Sequence, residues 1–185
     1  MPAPAHRAAV GAVDRRMVLE TTVNGRPLVL QVLPEELLLD VIREHLGLTG
    51  SKRSCDVQVC GACTVLLDDR PVSACSVLAY EARGRAVVTI EGLADGERLD
   101  PVQEAFLEER AFQCGYCTAG MIMAVKALLA DHPAASAAEA ADYLRGNICR
   151  CTGYVSILHA VARAQQLGHS RPGRPPGASA TTASS

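Results

Sequence analysis

The sequence predicts an α+β fold in two halves, a β-grasp domain over residues 17–94 followed by an all-α four-helix bundle over residues 95–167. Three observations predict it. Two β-prone runs joined by Asn24–Gly25 open the first half. From about residue 95 the hydrophobic pattern is helical throughout. Eight cysteines divide four and four between the halves.

The elements follow in order. "MVLETTV" and "PLVLQV" form the hairpin, turning at Asn24–Gly25. Pro34 opens a helix over "EELLLDVIREHLG": its acidic residues come early, Leu38, Val41, Ile42 and Leu46 share one stripe, and Gly47 stops it. A cysteine-rich loop comes next. "TVLLDDRPVSAC" is a second hairpin around Asp68–Asp69, and "AVVTIEG" is one more strand. A hairpin, a helix crossing it, a loop and then more strands is a β-grasp order. In the second half Asp100 is an N-cap with Pro101 at the first helical position and Gln103 as its capping-box partner. "TAGMIMAVKALLA" is apolar on nearly every face, with Lys126 its only charge. Such a helix is buried in its own domain or against another chain. Ser136 and Glu139 cap a third helix that Gly146 ends. "TGYVSILHAVARAQQL" places Tyr154, Ile157, Leu158 and Val161 on one face of a fourth. Four helices make a bundle the natural arrangement.

Composition narrows the function classes. Of 185 residues, 49% are apolar but only 3% aromatic, with no Trp, so the core is aliphatic. A net charge of -2 with mixed signs argues against a nucleic-acid or membrane-surface partner. No apolar run approaches the roughly 20 residues of a membrane span. Residues 1–16 hold Arg7, Arg15 and Arg16 but no apolar core of a secretory signal, and the Arg15–Arg16 pair leads into a strand pattern rather than an export signal. Residues 1–16 and the Gly/Pro/Ser/Thr-rich 168–185 are expected to be disordered tails, and the protein to be cytoplasmic. Each half, about 75 residues, is marginal in size without a staple.

Without a signal segment the thiols stay reduced, which favours metal binding over disulfides. The first set is Cys55-x4-Cys60-x2-Cys63, with Cys75 following after eleven intervening residues. This matches the plant-type ferredoxin spacing for a [2Fe–2S] cluster. Gly61 and Ala62 are small enough to let backbone N–H groups approach the sulfurs. Zinc is the alternative, but it usually takes two paired knuckles, and Cys75 has no near partner. The second set is Cys114-x2-Cys117 with Cys149-x-Cys151, at the entries to the apolar helix and the last helix. Helix N-termini carry partial positive charge and suit an anionic cluster. A C-x-C pair is tight for tetrahedral zinc but can supply both thiolates on one iron.

"CGACTV" (60–65), "QCGYCTAGM" (113–121) and "GNICRCTGY" (146–154) resemble the iron–sulfur small subunit of the molybdenum hydroxylases. This is the xanthine oxidase family, which includes aerobic carbon-monoxide dehydrogenase. The resemblance spans residues 17–167. It implies a plant-type ferredoxin domain whose Cys55, Cys60, Cys63 and Cys75 hold one [2Fe–2S] cluster. It implies a helical-bundle domain whose Cys114, Cys117, Cys149 and Cys151 hold a second. The partners it implies are a large molybdopterin-binding subunit, near the bundle cluster, and a medium FAD-binding subunit, near the ferredoxin cluster, in a heterotrimer or a dimer of heterotrimers. Gln113 matches a glutamine that contacts the pterin, and Cys151 matches the ligand nearest the pterin amine. Ser54 and Gln58 depart from the family's usual glycines, Ala119 from its usual proline, and Asp68–Asp69 from a commoner Asp-Gly turn.

The remaining residues say less. His6, His45, His132, His159 and His169 are scattered and read as solvated. There is no nucleophile–base pattern and no G-x-G-x-x-G after a strand. Lys52 and Arg53 are either surface charge or balance for a cluster, and Arg150 between two cysteines would favour a reduced cluster. Met121 and Met123 read as core packing. The expected function is electron transfer within a molybdenum hydroxylase, with the apolar helix and the cluster loops contacting the partners. A stand-alone redox carrier or sensor and a zinc-stapled interaction domain are the alternatives.

Overall fold

The computed structural model describes residues 15–170. The expected tails therefore lie largely outside the described residues, as do His6 and Arg7.

The first half is a five-stranded sheet. β1 (Met17–Val23) and β2 (Arg26–Val32) pair antiparallel from Met17 opposite Val32 to Val23 opposite Arg26. Asn24 and Gly25 turn between them at φ +51° and +77°. These left-handed values match the twist of the strands they join. β3 (Thr64–Leu67) and β4 (Arg70–Ser73) form the second hairpin. Asp68 and Asp69 take φ +47° and +63°, so two aspartates adopt the turn that Asp-Gly would take more easily. Asp68 offsets that strain by accepting from the Ala86 N–H (2.9 Å) and Arg85 Nε (2.6 Å). β5 (Ala86–Val88) lies centrally, parallel to β1 and antiparallel to β3, giving the order β2-β1-β5-β3-β4. This is the β-grasp arrangement that the element order predicts.

The crossing helix departs from expectation. Residues 33–36 form a turn, in which Glu36 N–H donates to the Leu33 carbonyl. Leu37 is extended, and its neighbours pair with the chain near Leu78: Leu38 N–H to the Val77 carbonyl (2.8 Å) and Ala79 N–H to the Glu36 carbonyl (2.7 Å). Tertiary pairing has overridden the helical start at Pro34. α1 begins only at Leu38 (Leu38–Asp40) and widens into a π-helical turn over Val41–His45. The apolar stripe survives the change, since Leu38, Leu39, Val41 and Ile42 are buried against Leu19, Val32, Val65 and Leu67.

The second half holds α2 (Pro101–Glu108), α3 (Thr118–Asp131), α4 (Ala137–Tyr143) and α5 (Val155–Ser170). Both capping boxes form as predicted: Asp100 Oδ1 accepts from Val102 N–H (3.0 Å), and Gln103 Oε1 from Asp100 N–H (3.0 Å). Ser136 and Glu139 make the same exchange at α4. Phe106, Met121, Val125, Leu128, Leu144 and Ile157 centre the helical core.

α3 is where the two halves meet, and this corrects its expected role as a partner contact. Met123 and Ala127 pack on Leu66 of β3, while Met121, Val125 and Leu128 face the other helices. The sheet strand is likewise covered on both sides, with Val65 and Leu67 turned to their own core and Leu66 to α3. α3 is apolar all round because this chain covers it all round. The charge in its interior, Lys126, is neutralised by Asp100 at 2.5 Å.

Candidate metal centres

Each half draws its four thiols together, and each set has an inner and an outer pair. In the first set Cys63 and Cys75 are buried, whereas Cys55 and Cys60 are half-exposed. The loop that carries them alternates through left-handed residues, Asp56 (φ +53°), Gln58 (φ +57°) and Gly61 (φ +68°). Such a path turns successive N–H groups inward, forming a concavity for an anion. The N–H of Val59 lies 3.4 Å from Cys55 Sγ. Gln58 thus takes a left-handed backbone, at the cost of strain that a glycine would not carry.

Electrostatics follow the same division. N–H groups of Val57, Val59 and Cys60 converge on Cys55 and bring its thiol down to about 6. Burial, with Cys75 and Cys60 close by, pushes Cys63 up to about 12. In the second set burial, then the neighbouring Cys149 thiol, pushes Cys117 up to about 12. Burial also opposes ionisation of Cys149, but the Thr152 hydroxyl and the N–H groups of Thr152 and Cys151 outweigh it and lower that thiol. Contact with Cys114 raises Cys151. In iron-free protein, iodoacetamide is therefore expected to alkylate Cys55 first at pH 7, because the thiolate is the nucleophile. Cys63 and Cys117 should be last, and the Cys55 rate should fall as pH drops through about 6. Peptide mass spectrometry over a time course checks the order.

The second set pairs across its two segments. Cys114 and Cys151 are exposed, with their Sγ atoms 3.6 Å apart. Cys117 and Cys149 pair beneath them. The adjacent C-x-C cysteines are thus divided between the outer and inner pairs. Extended backbone would set residues two apart on one face, but the chain bends at residues 150–152, and Cys149 goes inward while Cys151 goes outward. Among the described residues no group of three or more His, Cys, Asp or Glu is closed tightly enough to hold a metal ion. Two thiolates per iron is what a [2Fe–2S] cluster asks for, and both sets supply it as two pairs. Gln113 is exposed beside the outer pair, as is Arg150.

The two sets abut. Ile148 N–H donates to the Cys60 carbonyl at 2.9 Å, joining the residue before Cys149 to a cysteine of the first set. Beside this contact Asn147, 8% exposed, shares its Nδ2 protons among the carbonyls of Gly61 (3.1 Å) and Gly120 (3.2 Å) and Thr64 Oγ1 (3.2 Å). A Cβ at Gly61 would overlap Asn147, and one at Gly120 would overlap the Gly61 carbonyl oxygen. Tyr116, between Cys114 and Cys117, donates its hydroxyl to the Arg53 carbonyl. Arg53 itself pairs with Asp56 (2.8 Å) and with Asp40, which ties the first loop to the π-helical turn's entry rather than leaving a free surface charge. Tyr154, in left-handed conformation (φ +67°), accepts from Cys149 N–H (2.9 Å) and donates to the Asn147 carbonyl (3.0 Å). Asn147, Gly120, Tyr116 and Tyr154 carry no metal-ligand signal in the sequence. Only Gly120, an isolated glycine inside a helix, marks a close approach there.

Comparison with known proteins agrees with this geometry. Two family models match the chain, a 2Fe-2S iron-sulfur cluster binding domain over residues 21–90 and a [2Fe-2S] binding domain over residues 89–162. The chain is 44% identical over 155 residues to the nicotine 6-hydroxylase small subunit of Paenarthrobacter nicotinovorans, spanning 83% of this chain and 93% of that protein. It is 42% identical over 147 residues to the xanthine dehydrogenase iron-sulfur-binding subunit of Escherichia coli O157:H7, spanning 78% and 92%. The crystal structure of quinoline 2-oxidoreductase from Pseudomonas putida 86 superposes with a TM-score of 0.82 at 42% identity, covering 86% of this chain and 99% of that one. The chain belongs to the family of iron–sulfur small subunits of the molybdenum hydroxylases, the xanthine dehydrogenase and aldehyde oxidoreductase group.

Proposed function

We propose that this chain is the electron-transfer subunit of a molybdopterin-dependent hydroxylase or dehydrogenase. It would pass electrons singly from a molybdenum centre in a large subunit to FAD in a medium subunit. The observation that carries the reading is the junction of the two cysteine sets through Ile148 N–H and the Cys60 carbonyl. A stapled interaction domain has no use for two thiol sets in hydrogen-bonded contact.

Cys55, Cys60, Cys63 and Cys75 would hold one [2Fe–2S] cluster and Cys114, Cys117, Cys149 and Cys151 the other. When bound, a [2Fe–2S] cluster takes up and gives back one electron at a time. The chain's own residues do the rest. The inward N–H groups of the first loop offset the negative charge of the thiolates. Thr152 donates its hydroxyl to Cys149 Sγ at 3.2 Å and so orients and stabilises that thiolate. Leu66, Met123 and Ala127 close the seam between β3 and α3. Asn147 holds the two loops in register.

The partner-facing surfaces follow from exposure. Gln113, Cys114 and Cys151 lie at the surface of the helical half, with Phe112, Tyr116 and Ile148 exposed around them. This face would meet the molybdopterin subunit, with Gln113 and Cys151 toward the pterin. Val57 and Val59, 67% and 56% exposed on the first loop, would meet the flavin subunit. The assembly would be a heterotrimer or a dimer of heterotrimers, and the reduced thiols suit a cytoplasmic setting. No helix among the described residues is long and apolar enough to cross a membrane.

Purification from the native source tests the reading. A molybdopterin-containing large chain should co-purify, and Gln113→Ala should slow reduction of the bundle cluster by substrate in rapid mixing. Zinc in place of iron and acid-labile sulfide would overturn the reading. An iron-loaded chain that purifies alone would leave a free redox carrier.

A further inference from the structure

Among the described residues, two buried side-chain polar atoms have no hydrogen-bond partner, Ser51 Oγ and Thr118 Oγ1. Both lie beside cysteines. Ser51 is in the segment that leads into the first set, and Thr118 directly follows Cys117. Thr118 is the better placed of the two. It is the first residue of α3, and its N–H is occupied by the Gly115 carbonyl at 3.2 Å. A helical threonine ordinarily turns its hydroxyl back to a carbonyl three or four residues earlier. Thr118 does not, and a buried hydroxyl left unpaired is costly enough that native structures seldom keep one. The same cysteine set already shows the alternative outlet, since Thr152 donates its hydroxyl to Cys149 Sγ.

We propose that Thr118 Oγ1 donates a hydrogen bond to sulfur of the cluster held by Cys114, Cys117, Cys149 and Cys151, and that this bond helps set the cluster's potential. The proposal rests on the reading of these four cysteines as a [2Fe–2S] site. Fit and chemistry agree on the direction. The hydroxyl belongs to the residue after Cys117, is buried without a partner among the protein atoms, and has a proton to give. Reduction adds negative charge to the sulfurs, so a donor there favours the reduced form and raises the potential. Thr118 is a positioning and tuning residue, and no electron need pass through it.

The test is an EPR-monitored redox titration of the cluster-loaded full chain, in the complex in which it purifies. Thr118→Val keeps the shape and removes the hydroxyl. The bundle cluster of this variant should titrate at a more negative potential. A roughly tenfold fall in the reduced-to-oxidised ratio at fixed potential is expected, which for a one-electron couple is about 59 mV. The ferredoxin-half cluster should not move. Thr118→Ser, which restores the hydroxyl, should stay near the wild-type potential. Pulsed EPR of wild type exchanged into D2O should show a deuteron coupled to the reduced bundle cluster that Thr118→Val lacks. If Thr118→Val fails to load, Thr118→Ala against Thr118→Ser makes the same comparison. A loaded valine or alanine variant at the wild-type potential, or a serine variant displaced as far as it, overturns the inference and leaves the electron-transfer reading standing. A wild-type protein without iron and sulfide overturns both.

Discussion

Cys151→Ser is expected to abolish one of two S = 1/2 EPR signals of the dithionite-reduced protein, and Cys60→Ser the other. Iron and acid-labile sulfide should each fall from about four to about two per chain in either variant, as loss of one of two [2Fe–2S] centres requires. The structure separates the variants because Cys151 faces Cys114 in the helical half, while Cys60 lies with Cys55 in the sheet half. It also grades them. Cys151 is exposed, so serine there removes a ligand and little packing. Cys149 is buried in the helical core and receives the Thr152 hydroxyl. Cys149→Ser should abolish the same signal as Cys151→Ser and destabilise the chain by a further ~1–2 kcal/mol, in the ordinary range for a buried polar change. Loss of the same signal from Cys60→Ser and Cys151→Ser would dissolve the two-centre assignment.

Much of this arrangement is legible in the sequence, and the rest has identifiable physical reasons for being hidden. Asn24–Gly25, the Asp100 and Ser136 caps and the cysteine spacings are local signals, each decided within a few residues, and all three kinds appear in the structure. The features that sequence reading misplaces are decided by distant partners. The helix expected from Pro34 starts at Leu38 because Glu36 and Leu38 are hydrogen-bonded to Ala79 and Val77, some forty residues away. The apolar α3 reads equally well as a partner surface until Leu66 is seen to cover Met123 and Ala127. The division of Cys149 and Cys151 between an inner and an outer pair depends on where the Cys114–Cys117 segment lies, which no spacing within "CRC" specifies. Asn147 is one polar residue between a glycine and an isoleucine. Its three acceptors come from residues 61, 64 and 120, so nothing local announces it.

Gly120→Ala should lower stability sharply, against what helix propensity alone predicts. Within an ordinary helix the change favours folding by up to about 1 kcal/mol. Here an added Cβ would occupy the space of the Gly61 carbonyl oxygen and crowd Ala62, both backbone groups of the first cysteine loop that cannot rotate away. The Gly61 carbonyl and the Gly120 carbonyl are also two of the three acceptors of Asn147, so displacement breaks bonds made by a buried amide. Overpacking of this kind costs about 3 kcal/mol, which exceeds the propensity gain and corresponds to a drop of several degrees in Tm for a chain this size. The same displacement pulls the Cys60 carbonyl away from Ile148 N–H. Freeze-quench EPR of the variant in its complex should therefore show the bundle signal appearing at the wild-type rate and the ferredoxin-half signal lagging behind it. A Gly120→Ala protein as stable as wild type would mean that α3 and the first loop do not meet as described. A destabilised protein whose two signals rise together would mean that the Cys60–Ile148 contact is a structural joint and that electrons cross elsewhere.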